Sequence, residues 1–402
     1  MAVSFEDFNL DEQVLEGLRA MNYKTPTPVQ EQAIPKILNN EDLIACAQTG
    51  TGKTAAYLLP ILNKLVQRHS EEHEINTLIL VPTRELAVQI DKQVEGFSYF
   101  LPVSCMAVYG GTGGDEFERQ KKALKGGADI IVATPGKIIS HLGLGYVKIG
   151  KLQHLILDEA DRMLDMGFFD DIMQVISFLP KQRQTLLFSA TMPKEIRELS
   201  KRILKDPKEV DIAISKPAEG ILQAAYLVHN YQKIELVNHL LKGKDQKSII
   251  IFASTRQSVK ELEKDLYKLK LSVKSIHSDL EQDEREEVLR LFRNRKINIL
   301  VATDVISRGI DIVGIDLIIN FDVPQDAEDY IHRVGRTARA QATGVALTLI
   351  NDKDVRRFQK IEKLIGSEIN KVPLPSHLGG GPEYKASAHS DNRGKRKWKG
   401  KR

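Results

Sequence analysis

The chain has 402 residues, 42% of them hydrophobic and 28% charged, a length and composition typical of two globular domains with substantial cores. Wholesale disorder, collagen and coiled-coil arrays are excluded, and no uncharged apolar run approaches the ~20 residues that cross a bilayer. The acidic N-terminus is unlike a signal peptide and the two cysteines fit a reducing compartment, so we expect a cytoplasmic protein that contacts no membrane.

Short runs rich in isoleucine, valine and leucine recur along the chain, each followed by a polar turn and a helix-like stretch. Such runs are typical of strands buried on both faces of a parallel sheet and joined by helical crossovers. In the first half the pattern predicts strands at Leu43–Ala47, Thr77–Val81, Val103–Val108, Asp129–Ala133, His154–Leu157 and Thr185–Ser189. In the second half it predicts Ala225–Val228, Ser248–Phe252, Val273–Ile276, Ile297–Ala302, Leu317–Asn320 and Val345–Leu349. The predicted fold class is α/β, with one architecture used twice.

Proline and glycine interrupt this pattern at two places, around Pro207–Gly220 and after Val372. The sequence therefore predicts a leading segment over residues 1–31, a first domain over 32–207, a linker over 208–220, a second domain over 221–372 and a disordered basic tail over 373–402.

A glycine-rich loop, Gln48-Thr49-Gly50-Thr51-Gly52-Lys53-Thr54, follows the first predicted strand and precedes a helix pattern. Glycines let backbone N–H groups surround phosphates, and the start of a helix adds positive potential. Lys53 is then expected to reach the β- and γ-phosphates and the Thr54 hydroxyl to bind Mg²⁺. Ala47 stands where the standard pattern has its first glycine, and a chance turn is the alternative interpretation.

An acidic cluster, Asp158-Glu159-Ala160-Asp161, follows the predicted strand His154–Leu157. A carboxylate at the tip of a buried strand beside a phosphate loop suits Mg²⁺, and a second one can orient and deprotonate water. These roles are assigned to Asp158 and Glu159. An acidic first turn of a helix is the alternative, and the nearby phosphate-loop pattern disfavours it.

The acidic cluster spells the motif of the DEAD-box RNA helicases, and the chain resembles that family from about Phe5 to Ile365. Further motifs occur in the family's order: Pro26–Gln30, Pro82–Ala87, Gly110-Gly111, Thr134–Gly136, Ser189–Thr191, Ile251-Phe252, Gln282 with Arg285, Thr303–Asp311 and His332–Arg339. The compact core with a short basic extension is most similar to the bacterial RhlE-type subgroup.

The resemblance implies two tandem RecA-like domains, with residues 1–31 as a Q-motif segment, 32–207 as the ATP-binding domain and 221–372 as the helicase C-terminal domain. It implies ATP and Mg²⁺ as ligands, with Thr54 and Asp158 on the metal. The implied ATP site comprises Phe5, Gln30, Ala47, Gln48, Thr49, Gly50, Thr51, Gly52, Lys53, Thr54, Gly309 and Asp311. Within it Gln30 reads the adenine edge, Phe5 (or Phe8) stacks on the ring, and Asp311 contacts the ribose.

The implied catalytic residues are Lys53, Asp158, Glu159, Arg336 and Arg339, the two arginines acting on the γ-phosphate from the start of a helix. Asp161, Ser189, Thr191 and His332 are implied to couple the ATP and RNA sites, Ser189 and Thr191 by bonding to the acidic cluster.

The implied RNA contacts are Pro82, Thr83, Arg84, Gly111, Thr134, Pro135, Gly136, Thr255, Gln282, Arg285, Thr303 and Asp304. These residues lie in loops after strands, where backbone groups, hydroxyls and charges suit phosphate and ribose, so binding should ignore base sequence. Ordinary turn residues are the alternative for each loop alone.

The implied activity is that of an ATP-dependent RNA helicase. ATP and single-stranded RNA together favour a closed state of the two domains, which opens short duplexes or remodels RNA–protein complexes. Three rival functions stay open at this point: an ATP-gated RNA clamp, a DNA translocase on the same plan, and a generic P-loop kinase, which leaves the second half without a role.

The C-terminal end carries eight lysines and arginines against one acid from Tyr384 to Arg402, a charge of +7 that leaves −3 for the rest of the chain. This pattern predicts an auxiliary RNA-binding arm in which Trp398 can stack on a base, with a solubilising tail as the alternative. The sequence identifies neither the RNA nor any protein partner.

Overall fold

The computed structural model describes residues 3–47, 50–68, 74–111, 114–212, 221–242, 248–277, 279–303, 315–337 and 344–384. These residues form two compact units, the first ending before residue 219 and the second beginning there. Each unit contains a seven-stranded sheet flanked by helices, which confirms the predicted pair of RecA-like domains.

The sheet of the first unit is entirely parallel. Its strands are β1 Leu43–Cys46, β2 Thr77–Leu80, β3 Cys105–Val108, β4 Ile130–Ala133, β5 His154–Leu157, β6 Gln184–Ser189 and β7 Lys208–Asp211, in the order β3-β4-β2-β5-β6-β1-β7. Alternate residues of a strand join different apolar clusters: Ile79 packs in one and Leu80 in the other. Both faces of the sheet are therefore buried, which explains the continuous apolar runs.

Nine helices of the first unit lie within the described residues. They are α1 Glu12–Ala20, α2 Pro28–Leu38, α3 Lys53–Val66, α4 Arg84–Phe97, α5 Gly114–Gly126, α6 Pro135–Gly143, α7 Ala160–Asp165, α8 Phe169–Ser177 and α9 Lys194–Ile203, preceded by a 3₁₀ turn at Phe5–Phe8. Several begin right after a strand with a capping residue such as Thr83 or Thr134, so the strand ends and helix starts share one edge of the sheet.

The second unit repeats this plan. Its strands are β8 Ile221–Leu227, β9 Ile249–Phe252, β10 Val273–Ile276, β11 Ile299–Ala302, β12 Leu317–Asn320, β13 Gly344–Ile350 and β14 Asn370–Val372, in the order β10-β11-β9-β12-β13-β8-β14. Its helices are α10 Lys233–Leu241, α11 Arg256–Lys268, α12 Gln282–Arg293, α13 Ala327–Val334 and α14 Val355–Ile365, with 3₁₀ turns at Asn230–Gln232 and Ser376–Leu378. None of the helices described in either unit is both long and apolar enough to cross a membrane.

All twelve predicted strands are present, and within the described residues two further strands, β7 and β14, lie at sheet edges. In β7 only Val210 is buried, because an edge strand exposes most of its side chains and lacks a continuous apolar run. The predicted linker over 208–220 is therefore wrong for its first four residues, which pair with β1. Residues 213–220 lie outside the described residues.

The predicted disordered tail over 373–402 is wrong for its first residues, 373–384. Leu378 is buried, and the side-chain amide of Gln232 donates to its carbonyl oxygen at 2.6 Å. The Tyr384 hydroxyl hydrogen-bonds to Glu362 on α14. The chain up to Tyr384 is thus docked on the second unit, because buried apolar and polar contacts outweigh the glycine and proline content that suggested disorder. The strongly basic residues 385–402 lie outside the described part.

Candidate functional site

The glycine-rich loop lies between β1 and the start of α3. Gly50 and Gly52 have φ values of 82° and 91°, a left-handed backbone that favours glycine. Lys53 is buried, and its ammonium donates to the Ala47 carbonyl oxygen at 2.7 Å. Lys53 and Thr54 form the first turn of α3, where free N–H groups and the helix dipole favour an anion.

Gln30 connects the Q-motif segment to this loop. Its side-chain nitrogen donates to the Gly52 carbonyl oxygen at 3.0 Å, and its side-chain oxygen accepts from the Thr27 N–H at 2.9 Å. A Cβ at position 52 would overlap that amide nitrogen. The amide therefore supports the phosphate loop in this structure, and its predicted contact with adenine stays a prediction.

Phe5 is buried against Phe8 and Tyr23, with ring centroids 6.1 and 6.5 Å away in edge-to-face geometry. A base can stack on Phe5 only where one ring face becomes accessible, so its predicted stacking role also stays a prediction. A cavity of about 460 Å³ is lined by Met21–Thr25, the residues that connect α1 to the segment of Gln30.

Asp158 occupies the predicted position at the carboxyl end of β5 and is almost fully buried. One of its oxygens accepts from the Tyr57 hydroxyl at 2.8 Å and the other from the Glu159 N–H at 2.9 Å. Burial raises the pKa of Asp158 to about 6, although the nearby Lys53 ammonium lowers it. Burial and the neighbouring Asp158 carboxylate raise the pKa of Tyr57, so its hydroxyl stays protonated and donates to Asp158.

Glu159 has a left-handed backbone with φ of 52° at the start of α7. Its carboxylate pairs with the Arg162 guanidinium at 3.1 Å, and the two side chains are 13% and 5% exposed. The predicted general base is therefore held by a buried ion pair that orients its carboxylate.

Asp161 accepts three hydrogen bonds with one carboxylate oxygen: from the N–H groups of Ala190 and Thr191 and from the Thr191 hydroxyl, at 3.0–3.1 Å. The predicted bond from Thr191 to the acidic cluster is present. The Ser189 hydroxyl instead donates to the Thr191 carbonyl oxygen at 2.7 Å. The loop after β6 is thus tied to α7.

The candidate RNA residues of the first unit follow β2, β3 and β4, three neighbouring strands. Thr83 caps α4 by accepting from the Leu86 N–H, and the Arg84 guanidinium lies 4.5 Å from the Tyr109 ring centroid and contacts the Gly111 carbonyl oxygen at 3.5 Å. The loop after β4 contributes the cap of α6 and its first two residues, Thr134, Pro135 and Gly136; Pro82 is buried at the end of β2.

In the second unit the candidate RNA residues follow β9, β10 and β11. Thr255 caps α11 by accepting from the Ser258 N–H at 3.1 Å. Thr303 directly follows β11, and Arg285 is half-buried in α12, the helix that begins at Gln282.

The arginine motif lies at the end of α13, so the prediction that it begins a helix is wrong. Arg333 is buried, and its guanidinium donates to the Asn320 side chain and the Asp322 carbonyl oxygen, which is a structural role. Arg336 follows the helix and is half-buried. The ring of His332 lies 4.0 Å from the Asp329 carboxylate within α13. The remaining predicted site residues, Gln48, Thr49, Asp304, Gly309, Asp311 and Arg339, lie outside the described residues.

Comparison with known proteins agrees with this geometry. The family model for DEAD/DEAH box helicases matches residues 27–199, and the model for the helicase conserved C-terminal domain matches residues 232–341. The ATP-dependent RNA helicase CshA of Listeria monocytogenes is 39% identical over 373 residues, 92% of this chain and 71% of that protein. This chain belongs to the DEAD-box helicases.

Other relatives of the helicase give the same result. DeaD of Haemophilus influenzae, an ATP-dependent RNA helicase, is 41% identical over 378 residues, which cover 94% of this chain and 61% of that protein. The structure of Saccharomyces cerevisiae Dbp5 bound to RNA and ADP BeF3 has a TM-score of 0.82 and 31% identity, covering 92% of this chain and 96% of Dbp5. The structure of Mss116p bound to single-stranded RNA and AMP-PNP has a TM-score of 0.81 and 28% identity, covering 94% of this chain and 81% of Mss116p.

The residues of the helicase fit Mg²⁺. Thr54 and Asp158 offer a hydroxyl and a carboxylate, hard oxygen donors that Mg²⁺ prefers, and the Tyr57 hydroxyl orients the Asp158 carboxylate. When bound, the metal neutralises charge on the phosphate oxygens. Tyr57 and Arg162 were not predicted, since nothing in the local sequence indicates that Tyr57 reaches a carboxylate 101 residues away.

Proposed function

We propose that this helicase is an RNA-stimulated ATPase that opens short RNA duplexes locally, or remodels RNA–protein complexes, by closing its two units on ATP and single-stranded RNA. The enzyme class follows from the family: the chain is an ATP-dependent RNA helicase. What we add is how its residues divide the work.

The proposal rests on one observation: the candidate ATP residues and the candidate RNA residues of the first unit lie side by side along the same edge of its sheet. The carboxyl ends of β5, β6 and β1 carry Asp158, Ser189 and the glycine loop, whereas those of β3, β4 and β2 carry the candidate RNA loops. A rigid parallel sheet thus supports both sites, and ligands of open α/β sheets bind beyond the carboxyl ends of strands.

In the ATP site we assign Lys53 to the β- and γ-phosphates, Thr54 and Asp158 to Mg²⁺, and Glu159 to the attacking water. The ion pair with Arg162 keeps the Glu159 carboxylate oriented, which supports a role as base. From the second unit, Arg336 and Arg339 are assigned to the γ-phosphate, His332 to coupling and Asp311 to the ribose. Hydrolysis then requires both units.

In the RNA site we assign the loop residues of both units to phosphate and ribose, so the core ignores base sequence. The same arrangement appears twice: Thr83 after β2 and Thr255 after β9 each cap the helix that follows, by accepting from a backbone N–H of its first turn. Asp161, bonded to the loop of Thr191, is the proposed connection between the nucleotide and RNA sides.

Steady-state ATP hydrolysis with and without a single-stranded RNA tests this function. We expect stimulation by RNA and little by DNA of the same sequence, together with separation of a short RNA duplex. Stimulation by DNA alone would favour a translocase on the same plan. RNA binding without stimulated turnover would favour an ATP-gated clamp.

Glu159→Gln separates chemistry from binding. The variant should keep affinity for ATP and RNA and lose about 10²–10⁴-fold in turnover, because the amide cannot accept the proton of the attacking water. Equilibrium binding of fluorescent ADP and RNA, beside the hydrolysis rate, checks both halves. Full turnover in this variant would contradict the assignment of the base.

We also propose a cytoplasmic protein of the RhlE-type subgroup, in which residues 385–402 act as an auxiliary RNA-binding arm. The basic residues that follow the compact core support this proposal. Deleting residues 385–402 should weaken RNA binding and flatten its dependence on salt, because up to eight cations are removed, while RNA-stimulated hydrolysis persists. An unchanged salt dependence would contradict the arm, and grouping of the core with CshA or DeaD in a tree of relatives would contradict the subgroup.

A further inference from the structure

We propose that Gln120 and His141 are positioning residues that hold two loops of the RNA site at a fixed separation. The loops follow β3, at Tyr109–Gly111, and β4, at Thr134–Gly136. The inference rests on the proposed RNA role of these loops, and neither side chain lies in a motif used above.

Gln120 lies in α5 and is fully buried. Its side-chain nitrogen donates to the Tyr109 carbonyl oxygen at 3.2 Å, one residue before Gly110. Its side-chain oxygen lies 3.2 Å from Nε2 of His141. A single buried amide therefore connects the loop after β3 to α6, the helix that begins directly after Thr134.

The hydrogen bonds fix the protonation of His141. Since the Gln120 side-chain oxygen can only accept, Nε2 of His141 carries the proton, and Nδ1 accepts from the Tyr146 hydroxyl. Burial lowers the pKa of His141 to about 4, so the ring is neutral near pH 7. The side chains of Gln120, His141 and Tyr146 thus form a hydrogen-bonded relay that begins at the Tyr109 carbonyl oxygen. Because each bond joins one defined pair of atoms, the geometry of the relay is specific.

The relay also supports the charges beside the loops. The Phe117 ring stacks on His141, with centroids 4.9 Å apart and planes at 16°, and the Lys137 ammonium lies 4.7 Å from the Phe117 centroid. On the other loop the Arg84 guanidinium lies 4.5 Å from the Tyr109 ring centroid. Beside each loop a cation therefore lies against an aromatic ring that contacts the relay: Arg84 on Tyr109, and Lys137 on Phe117.

Such support matters because a nucleic-acid backbone presents its phosphates at set spacings. Binding groups need to be held within about 0.5 Å of the productive geometry by neighbours whose own conformations are locked. The loop after β4 is also bonded to the end of β3, from the Thr134 N–H to the Val108 carbonyl oxygen. The buried side-chain relay adds a second connection on the helix side of the same loops.

Gln120→Leu and His141→Leu test the inference, with Gln184→Leu and His154→Leu as matched controls. Gln184 and His154 are buried, hydrogen-bonded residues of the same unit at the amino ends of β6 and β5, the edge away from the loops. The measurements are affinity for a fluorescent single-stranded RNA in the presence of AMP-PNP, affinity for fluorescent ADP, and thermal unfolding. All four variants should lose stability.

We expect Gln120→Leu and His141→Leu to weaken RNA binding about tenfold, the equivalent of one lost buried hydrogen bond, with ADP affinity unchanged. The controls should keep RNA affinity within about twofold. Equal RNA affinity in test and control variants would overturn the inference and leave the proposed function intact, whereas an unmodified chain that binds no RNA would overturn both.

Tyr146→Phe keeps the test available where a leucine variant fails to fold. It removes only the hydroxyl at the half-buried end of the relay and frees the orientation of the His141 ring. RNA affinity should fall by a smaller factor, about two- to threefold, while ADP affinity stays unchanged. RNA affinity equal to that of the unmodified chain would contradict the relay.

Discussion

Each unit has a lysine at the start of the helix that follows the same strand of its sheet, but the surroundings of the two lysines differ. Lys53 begins α3 after β1 and donates to the carbonyl oxygen of Ala47 within its own loop. Lys233 begins α10 after β8, the strand that corresponds to β1 in the order of the second sheet. Its ammonium donates to Asp322 at 2.9 Å and to the Phe321 carbonyl oxygen at 2.6 Å.

Asp322 follows β12, which corresponds to β5, so lysine and acid occupy similar places in both units. In the second unit they form an ion pair whose side chains are 2% and 22% exposed. In the first unit Asp158 is bonded to Tyr57 and Glu159 instead, and a glycine loop precedes the lysine. The fold therefore repeats the positions but not the ion pair, which agrees with the proposed assignment of Lys53 to phosphate and Asp158 to the metal in the first unit.

The largest expected effect is on ATP hydrolysis, and it tests whether the second unit contributes to that reaction. Arg339→Ala should leave nucleotide affinity near that of the unmodified chain and reduce RNA-stimulated hydrolysis by about 10³-fold or more, since an arginine that stabilises transferring phosphate contributes 10³–10⁵. The hydrolysis rate at saturating RNA measures it. Arg290→Ala, an exposed arginine of α12, is the control. Unchanged stimulation in Arg339→Ala would confine catalysis to the first unit.

A second comparison replaces each of the two lysines by alanine. Lys53→Ala should weaken ATP binding and reduce hydrolysis by roughly 10²-fold or more, because it removes the proposed phosphate ligand. Its effect on unfolding should be smaller than that of Lys233→Ala, because without nucleotide the Lys53 ammonium donates to the Ala47 carbonyl oxygen. Lys233→Ala should lower the free energy of unfolding by about 3–5 kcal/mol, because it leaves Asp322 as a poorly compensated carboxylate. Chemical denaturation and fluorescent-ADP binding of both variants separate the effects. Loss of nucleotide affinity in a folded Lys233→Ala variant would refute the distinction between the lysines.

The smallest effect concerns acid sensitivity of the first unit. Burial lowers the pKa of His154 to about 3, whereas the unfolded side chain titrates near 6.5. Below about pH 6 the unfolded chain takes up a proton that folded His154 refuses, so this residue lowers stability as pH falls, by at most about 1.4 kcal/mol per pH unit.

His154→Gln removes that contribution. The variant should be less stable than the unmodified chain at pH 7, and the gap should narrow toward pH 4. Asp158, whose raised pKa gives the opposite trend, is common to both proteins and cancels in the difference. Chemical denaturation followed by circular dichroism at several pH values measures this gap. A gap that does not change with pH would show that His154 titrates normally.

Sequence reasoning predicted the features that depend on local pattern. Strands buried on both faces, such as His154–Leu157, are continuous apolar runs, and the residues at their ends follow from the rule for parallel sheets. It missed β7 and β14, whose exposed side chains remove that signal. It also missed Tyr57 with Asp158 and Lys233 with Asp322, because contacts over 101 and 89 residues are created by the strand order.

Gln30 has a wider consequence for how this enzyme recognises its nucleotide. One side-chain amide is shared between the cap of α2 and the carbonyl oxygen of Gly52 in the phosphate loop. A change at Gln30 is therefore expected to disturb the phosphate loop directly, through the lost contact with Gly52. On the proposed assignment, substitution of Gln30 is expected to weaken adenine selectivity and phosphate binding together.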